Sequence, residues 1–512
     1  MRRSLAIILV LAFHEIPFIG YGGEREQPNI LLFLVDDMGV TESSAPFIFD
    51  RNGKPCHQKL NDWYRTPHIE RLAEQGVRMR EFYAHSVCSP SRISIMTGQN
   101  SARHRTTNYI GSYTNNRNRF GPKKWNWKGI GADDFTLPKL LKKAGYRTIH
   151  IGKAHFGPFK HVGANPLNLG FDFSVGGSAI GMPGSYYAKR KYGKGTACPV
   201  PDLEKYWGSD TFLTEALTRE AIGALENHLK SSEKPFFLYM AHYALHRPLQ
   251  PDPRFIEHYA KEGVPKDVQA FSTLIEGMDR SLGDILDFLR KKGVAKKTLV
   301  IFMGDNGSDS PVGGWTNPFK YKSSKIGGSA PLRGKKGSRW EGGVRVPFIA
   351  AWAEPDDQQP LQKRVPILRG SVNLGWGACY DLLPTLAEVV GEKIPESWKV
   401  DGISLLPVFN SPTWQLPERS FLSHYPHEHC SDYFTILRFG EWKIIREYDP
   451  AGKRFGGKIK DELYNIIEDV SESHDLSQQE PERLAAMRKR LEKSLKDHHA
   501  LLPERINKRR ER

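Results

Sequence analysis

The sequence contains no apolar run long enough to cross a lipid bilayer, and cysteine is scarce. A transmembrane helix needs about 20 apolar residues, whereas the apolar stretch near the N-terminus covers only residues 5–13. None of the five cysteines forms a C-x-x-C pair, which argues against a zinc knuckle and a thioredoxin-like motif, and their odd number leaves one unpaired. No internal repeat is present. These absences exclude a polytopic membrane protein and a repeat architecture.

Composition and charge narrow the classes further. Hydrophobic residues make up 39% and charged residues 26% of the 512-residue chain, which is the usage of folded proteins rather than disordered ones. A chain of this length is expected to divide into domains. The formal net charge is +16. A charge of this size indicates which molecules the protein binds rather than how it folds. It favours a polyanion: nucleic acid, an anionic membrane surface, or a sulfated or phosphorylated substrate.

The N-terminus has the pattern of a secretory signal peptide. Arg2 and Arg3 precede the apolar residues 5–13, an order that is typical of export signals. We predict a signal peptide over residues 1–23, and the alternative is an uncleaved anchor. The small residues nearest to a cleavage site are Gly20, Gly22 and Gly23. The prediction implies an exported protein, periplasmic or secreted, with no stable membrane insertion after cleavage.

Apolar runs that suit buried strands alternate with segments that suit helices. The strand candidates include PNILLFLVDDMG, YRTIHIGKAHFG, PFFLYMAHYALHRP and KTLVIFMGDNG. The helix candidates include residues 66–76, 134–145, 211–230 and 267–292. The alternation predicts an α/β fold with a large, central, mostly parallel sheet flanked by helices. In such sheets the chemistry lies at the carboxyl ends of the strands.

Near residue 415 the pattern changes. TILRFGEWKIIREY and DELYNII predict short antiparallel strands, and residues 481–500 predict a closing amphipathic helix. We therefore expect a large α/β domain over residues 24–415 and a smaller C-terminal α+β subdomain over residues 416–512. The Gly/Ser-rich residues 307–330 predict a long functional loop.

Acidic pairs follow two of the predicted strands. Asp36 and Asp37 end the first one, and Asp305 and Asn306 end a later one. Either pair alone is more typical of a turn or a helix cap. Because both pairs follow apolar strands, they are expected at a shared edge of the sheet. Three carboxylates and an amide oxygen suit Ca²⁺ or Mg²⁺, whereas zinc prefers nitrogen or sulfur ligands.

Cationic and imidazole side chains follow other strand candidates. GKAHFG contains Lys153 and His155, ALHRP contains His246, and LRGKKG contains Lys335 and Lys336. Any one of them alone means little. Together, beside a metal site, they predict an anion pocket with groups that can transfer protons.

Cys88 stands at the start of CSPSRISIMTG, residues 88–98. A thiol nucleophile would need a base and a lowered pKa, and a thiolate is a poor ligand for a hard cation. Neither role explains the Pro-Ser-Arg that follows, and a buried or disulfide-linked cysteine is the plain alternative. The stretch resembles the signature of the formylglycine-dependent (type I) sulfatases, C-x-P-S-R-x-x-x-(apolar)-T-G, of the alkaline-phosphatase-like superfamily. The resemblance extends from PNILLFLVDDMG to DELYNIIEDVSESHDL.

The resemblance implies a particular chemistry for residue 88. In this family a maturing enzyme recognises Cys-x-Pro-x-Arg during export and oxidises the cysteine to formylglycine. The aldehyde hydrates, one hydroxyl attacks sulfur and expels the alcohol, and deprotonation of the other releases sulfate. A thiol or a serine lacks that second hydroxyl.

The resemblance also implies roles for the other candidates. The calcium ligands would be Asp36, Asp37, Asp305 and Asn306, with the modified Cys88 at the metal. Arg92 would hold the formylglycine hydroxyl and the metal-ligating carboxylates, and Lys153 and Lys336 would hold sulfate oxygens. His155 matches the base that takes the second hydroxyl proton, and His246 matches the group that protonates the leaving alcohol. A helix that begins after Pro90 would direct its N-terminus at the sulfate.

The sequence departs from the family pattern in one place. The usual GKWHLG reads GKAHFG, so Ala154 replaces a common tryptophan while the lysine and histidine remain. Lys336, rather than Lys335, matches the family spacing.

Two stretches are candidates for the substrate entrance. Residues 103–129 interleave aromatic and basic residues, which suits an anionic sugar; the residues singled out are Trp125, Trp127, Arg117, Arg119, Lys123 and Lys124. Residues 423–430 carry His424, His427 and His429, which suggest a substrate-facing loop or a metal site. We expect a sulfated carbohydrate substrate and no nucleic acid. The alternatives are an aryl sulfatase of small phenolic esters, a phosphatase or phosphodiesterase of the same superfamily, and a non-catalytic polyanion-binding protein.

Overall fold

The computed structural model describes residues 26–311, 328–414, 416–429 and 431–504. The predicted signal peptide, Cys430 and most of the predicted loop over residues 307–330 lie outside the described residues.

A central eight-stranded sheet organises the larger part of the chain. Its strands are β1 (Asn29–Val35), β2 (Gly76–Tyr83), β3 (Arg147–Gly152), β4 (Phe173–Val175), β5 (Phe236–Ala241), β6 (Thr298–Gly304), β7 (Phe348–Trp352) and β8 (Ser371–Ala378). The order across the sheet is β4-β3-β5-β1-β6-β7-β2-β8, and every neighbouring pair is parallel except the two that include β7. The prediction of a mostly parallel central sheet is confirmed.

The described residues form twelve α-helices, several of which cover the two faces of this sheet. They are α1 (Pro67–Gln75), α2 (Cys88–Thr97), α3 (Ser101–His104), α4 (Leu137–Lys143), α5 (Leu213–Ser231), α6 (Ile256–Tyr259), α7 (Lys266–Lys291), α8 (Glu341–Val344), α9 (Pro360–Arg364), α10 (Leu382–Val390), α11 (Leu406–Phe409) and α12 (Pro481–Asp497). Alternate residues of β1 pack into two different cores: Leu32 lies in one and Phe33 in the other. Because both faces are buried, the strand reads as a continuous apolar run.

The register of the sheet aligns the ends of four strands. β3, β5, β1 and β6 are adjacent and parallel, and Leu34 of β1 is paired with Ala241 of β5 and with Met303 of β6. The residues that follow these strands therefore lie together at the carboxyl ends of the strands, here called one edge of the sheet, where the sequence predicted a site.

The C-terminal part contains a separate antiparallel sheet. Its strands are β9 (Ser420–Tyr425), β10 (Phe434–Phe439), β11 (Trp442–Glu447) and β12 (Lys460–Asn465), in the order β12-β11-β10-β9. Helix α12 packs on this sheet through Leu484, Met487 and Leu491. The predicted antiparallel strands and closing helix are confirmed, although α12 ends at Asp497 and β9 was not predicted.

A buried ionic network joins the small sheet to α8. Nζ of Lys443 on β11 lies 2.9 Å from Oε1 of Glu341 and 2.6 Å from Oε1 of Glu472, and none of the three is more than 1% exposed. The hydroxyl of Tyr83 donates to Glu341 over 2.8 Å. The small sheet is thereby fixed to the segment that follows Lys336.

The described part of the chain contains neither a membrane-spanning helix nor a disulfide bond. No helix there combines the length and hydropathy that a membrane span requires. The cysteines described there, Cys56, Cys88, Cys198 and Cys379, are all free thiols.

Candidate active site

The ends of β1 and β6 bring four oxygen-bearing side chains together. Asp36, Asp37, Asp305 and Asn306 are all completely buried. The backbone N–H of Asp37 donates to Oδ1 of Asp305 over 3.0 Å, and Nδ2 of Asn306 donates to Oδ1 of Asp37 over 2.8 Å. Asp37 has a φ of 59°, a left-handed conformation that is uncommon outside glycine and recurs at functional sites.

This cluster has the properties of a hard-cation site. One carboxylate oxygen from each of Asp36, Asp37 and Asp305 lies within 4.8 Å of the others, and no other trio of potential ligands meets this condition in the part of the chain that the structure describes. Oδ1 of Asp36 and Oδ1 of Asn306 are buried without a hydrogen-bond partner. A buried acceptor without a partner is costly. An all-oxygen donor set that includes such acceptors fits Ca²⁺ or Mg²⁺.

Arg92 connects α2 to the cluster. Its Nε donates to Oδ2 of Asp305 over 2.8 Å, and its Nη1 donates to the backbone carbonyl of Lys153 over 2.9 Å. Cys88 and Arg92 are four residues apart and therefore lie on the same face of α2. The buried arginine thus fixes the helix face that carries Cys88 against the ends of β3 and β6.

Two lysines contact the aspartates directly. Nζ of Lys153 lies 2.5 Å from Oδ2 of Asp36, and Nζ of Lys336 lies 2.7 Å from Oδ2 of Asp37. Nε2 of His246 lies 3.7 Å from the same oxygen of Asp37. Two ammonium groups and one imidazole therefore lie within 4 Å of the carboxylates of the cluster.

The two adjacent aspartates respond differently to this environment. Burial raises the pKa of Asp36 well above its usual value, and Asp305 and Asp37 add to the rise while Lys153 opposes it. Burial also disfavours the charged form of Asp37, but Lys336 and His246 hold its pKa below the usual range. Burial would lower the pKa of Lys336, yet Asp37 raises it, so this lysine carries its positive charge.

Cys88 is the first residue of α2, one turn before Arg92. All ten residues of α2 are buried, so the helix is held on every side. The helix ends at Gly98, whose φ of 67° is the left-handed cap that glycine accepts most easily. The sequence predicted a helix that begins after Pro90, at Ser91; it begins three residues earlier, so Cys88 itself lies at the N-terminus, where backbone N–H groups favour an anion.

His155 is the partner of Cys88. Its Nδ1 lies 3.3 Å from Sγ of Cys88, and its Nε2 lies 2.8 Å from the carbonyl oxygen of Ile110. An Nε2–H donated to that carbonyl leaves Nδ1 as an acceptor towards residue 88. Burial, together with the positive charge of Lys153, lowers the pKa of His155 to about 3. The imidazole is therefore neutral near pH 7 and can accept a proton.

A cavity of about 310 Å³ opens onto Cys88. Its polar wall consists of His155, His246, Lys336 and His429, and its less polar wall is formed by Val87, Tyr109, Ile110, Gly111, Ser112, Gly181, Met182 and Cys198. This volume lies at the lower end of the range for small-molecule sites. The cavity therefore suits a group of about the size of one sugar ring.

The structure brings all ten predicted site residues to one edge of the sheet. They are Asp36, Asp37, Cys88, Arg92, Lys153, His155, His246, Asp305, Asn306 and Lys336, and the contacts above connect each of them to at least one other. Their individual roles are taken up under the proposed function.

The two predicted entrance stretches are only partly at the cavity. Trp125 is 3% exposed, and its ring packs on His427 while its Nε1 donates to Asn115, so its face is not open to a sugar. Tyr109 to Ser112 line the cavity, and the basic residues singled out from the same stretch do not.

The three histidines of residues 423–430 do not form a metal site. His424 lies on β9 and contacts Oγ1 of Thr435 and the carbonyl of Leu501, and His427 is buried against Thr107. His429 alone reaches the cavity, where its ring lies 4.6 Å from that of Tyr109.

Sequence reasoning missed several cavity residues. Met182 and Cys198 lie on a long irregular segment between β4 and α5, and no motif marks them. Glu42 was missed as well: it accepts from the N–H of Gly39 over 2.6 Å and is completely buried, which raises its pKa to about 8.

The fold and this site define a hydrolase of the alkaline-phosphatase-like superfamily, with an anion pocket beside a hard-cation cluster. The model of the family described as Sulfatase matches residues 28–392, more than half of the chain. The chain belongs to the sulfatase family.

Individual relatives agree with this assignment. The chain is 30% identical over 407 residues to N-acetylgalactosamine-6-sulfatase of Mus musculus, covering 75% of this chain and 66%, just under two thirds, of the mouse protein. It is 25% identical over 538 residues to N-acetylgalactosamine-6-O-sulfatase of Bacteroides thetaiotaomicron, covering 92% of this chain and 94% of the bacterial protein. Among solved structures, Ps i-CgsB in complex with k-i-k-neocarrahexaose has a TM-score of 0.69 at 25% identity, covering 92% of this chain and 94% of that one.

Proposed function

We propose that this protein hydrolyses sulfate esters of a sulfated carbohydrate, with a formylglycine made from Cys88 as nucleophile and a bound Ca²⁺. The observation that carries the proposal is the position of Cys88: it lies at a helix N-terminus, 3.3 Å from His155, on a cavity that Lys336 and His246 also line. Family membership supports the same chemistry.

The proposed cation would be held by Asp36, Asp37, Asp305 and Asn306, with residue 88 beside it. When bound, the cation would polarise the sulfate group and stabilise negative charge on the attacking oxygen. The unpartnered oxygens of Asp36 and Asn306 support this assignment. Calcium is preferred to magnesium because of the family resemblance, since the ligand types suit both.

The thiol of Cys88 occupies the position of the proposed formylglycine. Once hydrated, the aldehyde supplies one hydroxyl that attacks sulfur and a second whose deprotonation releases sulfate. Nδ1 of His155 faces Sγ of Cys88 and would take that proton. Arg92, held by Asp305 and the carbonyl of Lys153, would fix residue 88 relative to the cation.

The remaining roles concern the substrate. Lys153 and Lys336 contact the aspartates and would hold sulfate oxygens as these replace part of the carboxylate contact. His246 lines the cavity and would protonate the leaving alcohol.

The names of the relatives support a carbohydrate substrate. Two of them are N-acetylgalactosamine-6-sulfatases, and a neighbouring structure holds a carrageenan-type hexaose. The net charge of +16 would favour encounter with a polyanion. We further propose export after removal of residues 1–23, maturation by a formylglycine-generating or equivalent enzyme, and the division into a catalytic domain over 24–415 and a subdomain over 416–512.

Mass spectrometry and a paired hydrolysis assay test the proposal. The peptide that contains Cys88 should show a CHO group in place of CH₂–SH in active protein, whereas the peptide with the equally buried Cys379 should keep its thiol. Active protein with only unmodified Cys88 would sink the mechanism.

The hydrolysis assay separates the rival functions. An aryl sulfate and its phosphate analogue are compared with sulfated mono- and oligosaccharides, and sulfate release from the sugars should have the highest kcat/KM. Faster phosphate release would favour a phosphatase, faster aryl sulfate hydrolysis an aryl sulfatase, and no release from any ester a non-catalytic polyanion-binding protein.

A further inference from the structure

A short basic turn lies on the segment that forms one wall of the cavity. Residues 188–195, with the sequence AKRKYGKG, are here called the basic turn. The turn contains four cationic residues and no acidic one, and all four are exposed: Lys189, Arg190, Lys191 and Lys194. It lies between Met182 and Cys198, both of which line the cavity.

Most of this positive charge has no carboxylate partner. Lys189 pairs with Asp210. Among the described residues, Arg190, Lys191 and Lys194 have no carboxylate within 4.0 Å, so Lys189 is the one cation of the turn that forms an ion pair there. The turn therefore presents three charges that an anion could neutralise.

Two of these ammonium groups share one aromatic ring. Nζ of Lys194 lies 4.3 Å and Nζ of Lys191 lies 5.6 Å from the ring centroid of Trp207. Contact with the indole stabilises each cation. Two like charges held at the same ring repel each other, and an anion bound beside them would reduce that repulsion.

The backbone of the turn is held in one conformation. Lys191 and Tyr192 are left-handed, with φ of 51° and 49°. The side chain of Tyr192 is buried, and its hydroxyl donates to the carbonyl of Thr211 over 3.0 Å. The cations thus project from an anchored base, which reduces the entropy lost on binding.

The same base touches the wall of the cavity. A Cβ on Gly193 would lie only 2.5 Å from Cα of Gly184, so this position requires glycine. The N–H of Gly184 donates to the carbonyl of Cys198 over 2.6 Å. Gly184 is two residues from Met182, and Lys194 follows Gly193 directly, so the base of the turn packs against the segment that supplies Met182 and Cys198 to the cavity.

We propose that the basic turn is a second anion subsite. It would bind a sulfate or carboxylate on a sugar residue beyond the one whose sulfate ester lies at Cys88, so the substrate class is an oligosaccharide with several anionic groups. This inference rests on the proposed function, because it takes the cavity as the site of the scissile ester. The sequence predicted that residues 103–129 contact the polyanion, but Trp125 of that stretch is buried. The proposal assigns this contact to the basic turn instead.

Binding to an inactive full-length protein tests the subsite without requiring turnover. The background carries Cys88→Ser. One variant adds Arg190→Gln, Lys191→Gln and Lys194→Gln; the matched control adds Lys123→Gln, Lys124→Gln and Lys128→Gln, which are exposed but not on the cavity. The probes are N-acetylgalactosamine 6-sulfate and a tetrasaccharide that ends in this sugar and carries sulfate and carboxylate groups on the other residues, measured by calorimetry at low and moderate salt.

The turn variant should weaken tetrasaccharide binding by about tenfold, since three exposed charge contacts each contribute a fraction of a kcal/mol. Binding of the monosaccharide should change by less than about twofold, and the salt dependence of tetrasaccharide binding should become shallower. The control should resemble the background protein.

Three results overturn the proposal: equal tetrasaccharide affinity in the turn variant and the control, equal loss for both probes, or no tetrasaccharide binding by the background protein. Failure of the proposed function is a different result, because it is the absence of sulfate release by protein in which mass spectrometry shows that Cys88 has been converted to formylglycine, whatever the binding data show.

Discussion

Lys443 offers the sharpest test of how the two sheets are joined. Its ammonium group contacts Glu341 and Glu472, and all three side chains are excluded from solvent. Replacing it by methionine keeps most of the volume but leaves two buried carboxylates without their shared cation. We expect Lys443→Met to lower stability far more than any surface lysine would.

The magnitude follows from the burial. Removal of one partner from a buried ion pair costs about 3–5 kcal/mol, because the remaining charge is uncompensated. An unfolding entropy of about 2.1 cal/mol/K per residue makes that cost about 3–5 °C in Tm for a chain of this size. An exposed pair contributes about 0–1 kcal/mol. Lys460→Met, which removes the exposed partner of Glu462 on β12, is therefore the matched control.

Scanning calorimetry at pH 7.5, with rescans to establish reversibility, measures both variants against the unchanged protein. Addition of Glu472→Gln to Lys443→Met should restore part of the loss, because it removes one of the two uncompensated charges. Equal Tm values for Lys443→Met and Lys460→Met, or a double variant less stable than Lys443→Met, would refute this account of the network.

Three further outcomes are expected. Burial raises the pKa of Glu472 to about 7, with Lys443 opposing the rise, so the native state retains a proton that the unfolded carboxyl loses near its ordinary pKa of 4.5. The stability that this group contributes should be present below about pH 4.5 and fall by about 3 kcal/mol as the pH rises to about 7. Glu472→Gln should therefore reduce the dependence of Tm on pH between pH 5 and 7.5, whereas the exposed Glu468→Gln should not. Cys88→Ser should abolish most sulfate release with a Tm change of under about 2 °C, since the substitution removes little packing; full activity would contradict formylglycine. Asp305→Asn, which is closer in shape than alanine beside the buried Arg92, should lower activity and the stoichiometry of bound calcium measured by elemental analysis; stoichiometric zinc, or full activity after exhaustive chelation, would contradict the proposed cation.

The sequence predicted the strands that carry the site because their patterns are local. The apolar run before Asp36 and the one before Asp305 both end in polar residues that a buried strand rarely includes. The positions at which these strands end can therefore be predicted from the sequence. The direction of β7 cannot be predicted in this way, because a strand buried on both faces has the same composition in either orientation. The quoted strand candidates therefore correspond to β1, β3, β5 and β6, which carry the site, whereas β4, β7 and β8 were not predicted.

Residues with polar side chains were harder to place. His424 was assigned to a loop, but it belongs to β9, where Thr435 and a carbonyl satisfy both ring nitrogens. Trp125 was assigned to the substrate entrance, yet it packs against His427. In each case the partner lies far away in the chain, and composition alone does not reveal which side of a segment faces inward. The glutamates around Lys443 escaped prediction for the same reason.

The position of β1 in the centre of the sheet has a consequence for the order of assembly during synthesis. β4, β3, β5 and β1 are complete when residue 241 has been made, but the other edge of β1 pairs only with β6, which begins nearly sixty residues later. At about 5–20 residues per second, that edge waits for about 3–11 seconds. If the strands pair as they are synthesised, a half-sheet with an unpaired edge on β1 would exist during this interval, and such edges can recruit other chains. Asp36 and Asp37 follow β1 and are already synthesised at this stage, whereas Asp305 follows β6, the strand that pairs with the free edge of β1. The carboxylate cluster is therefore completed by the same strand that covers this aggregation-prone edge.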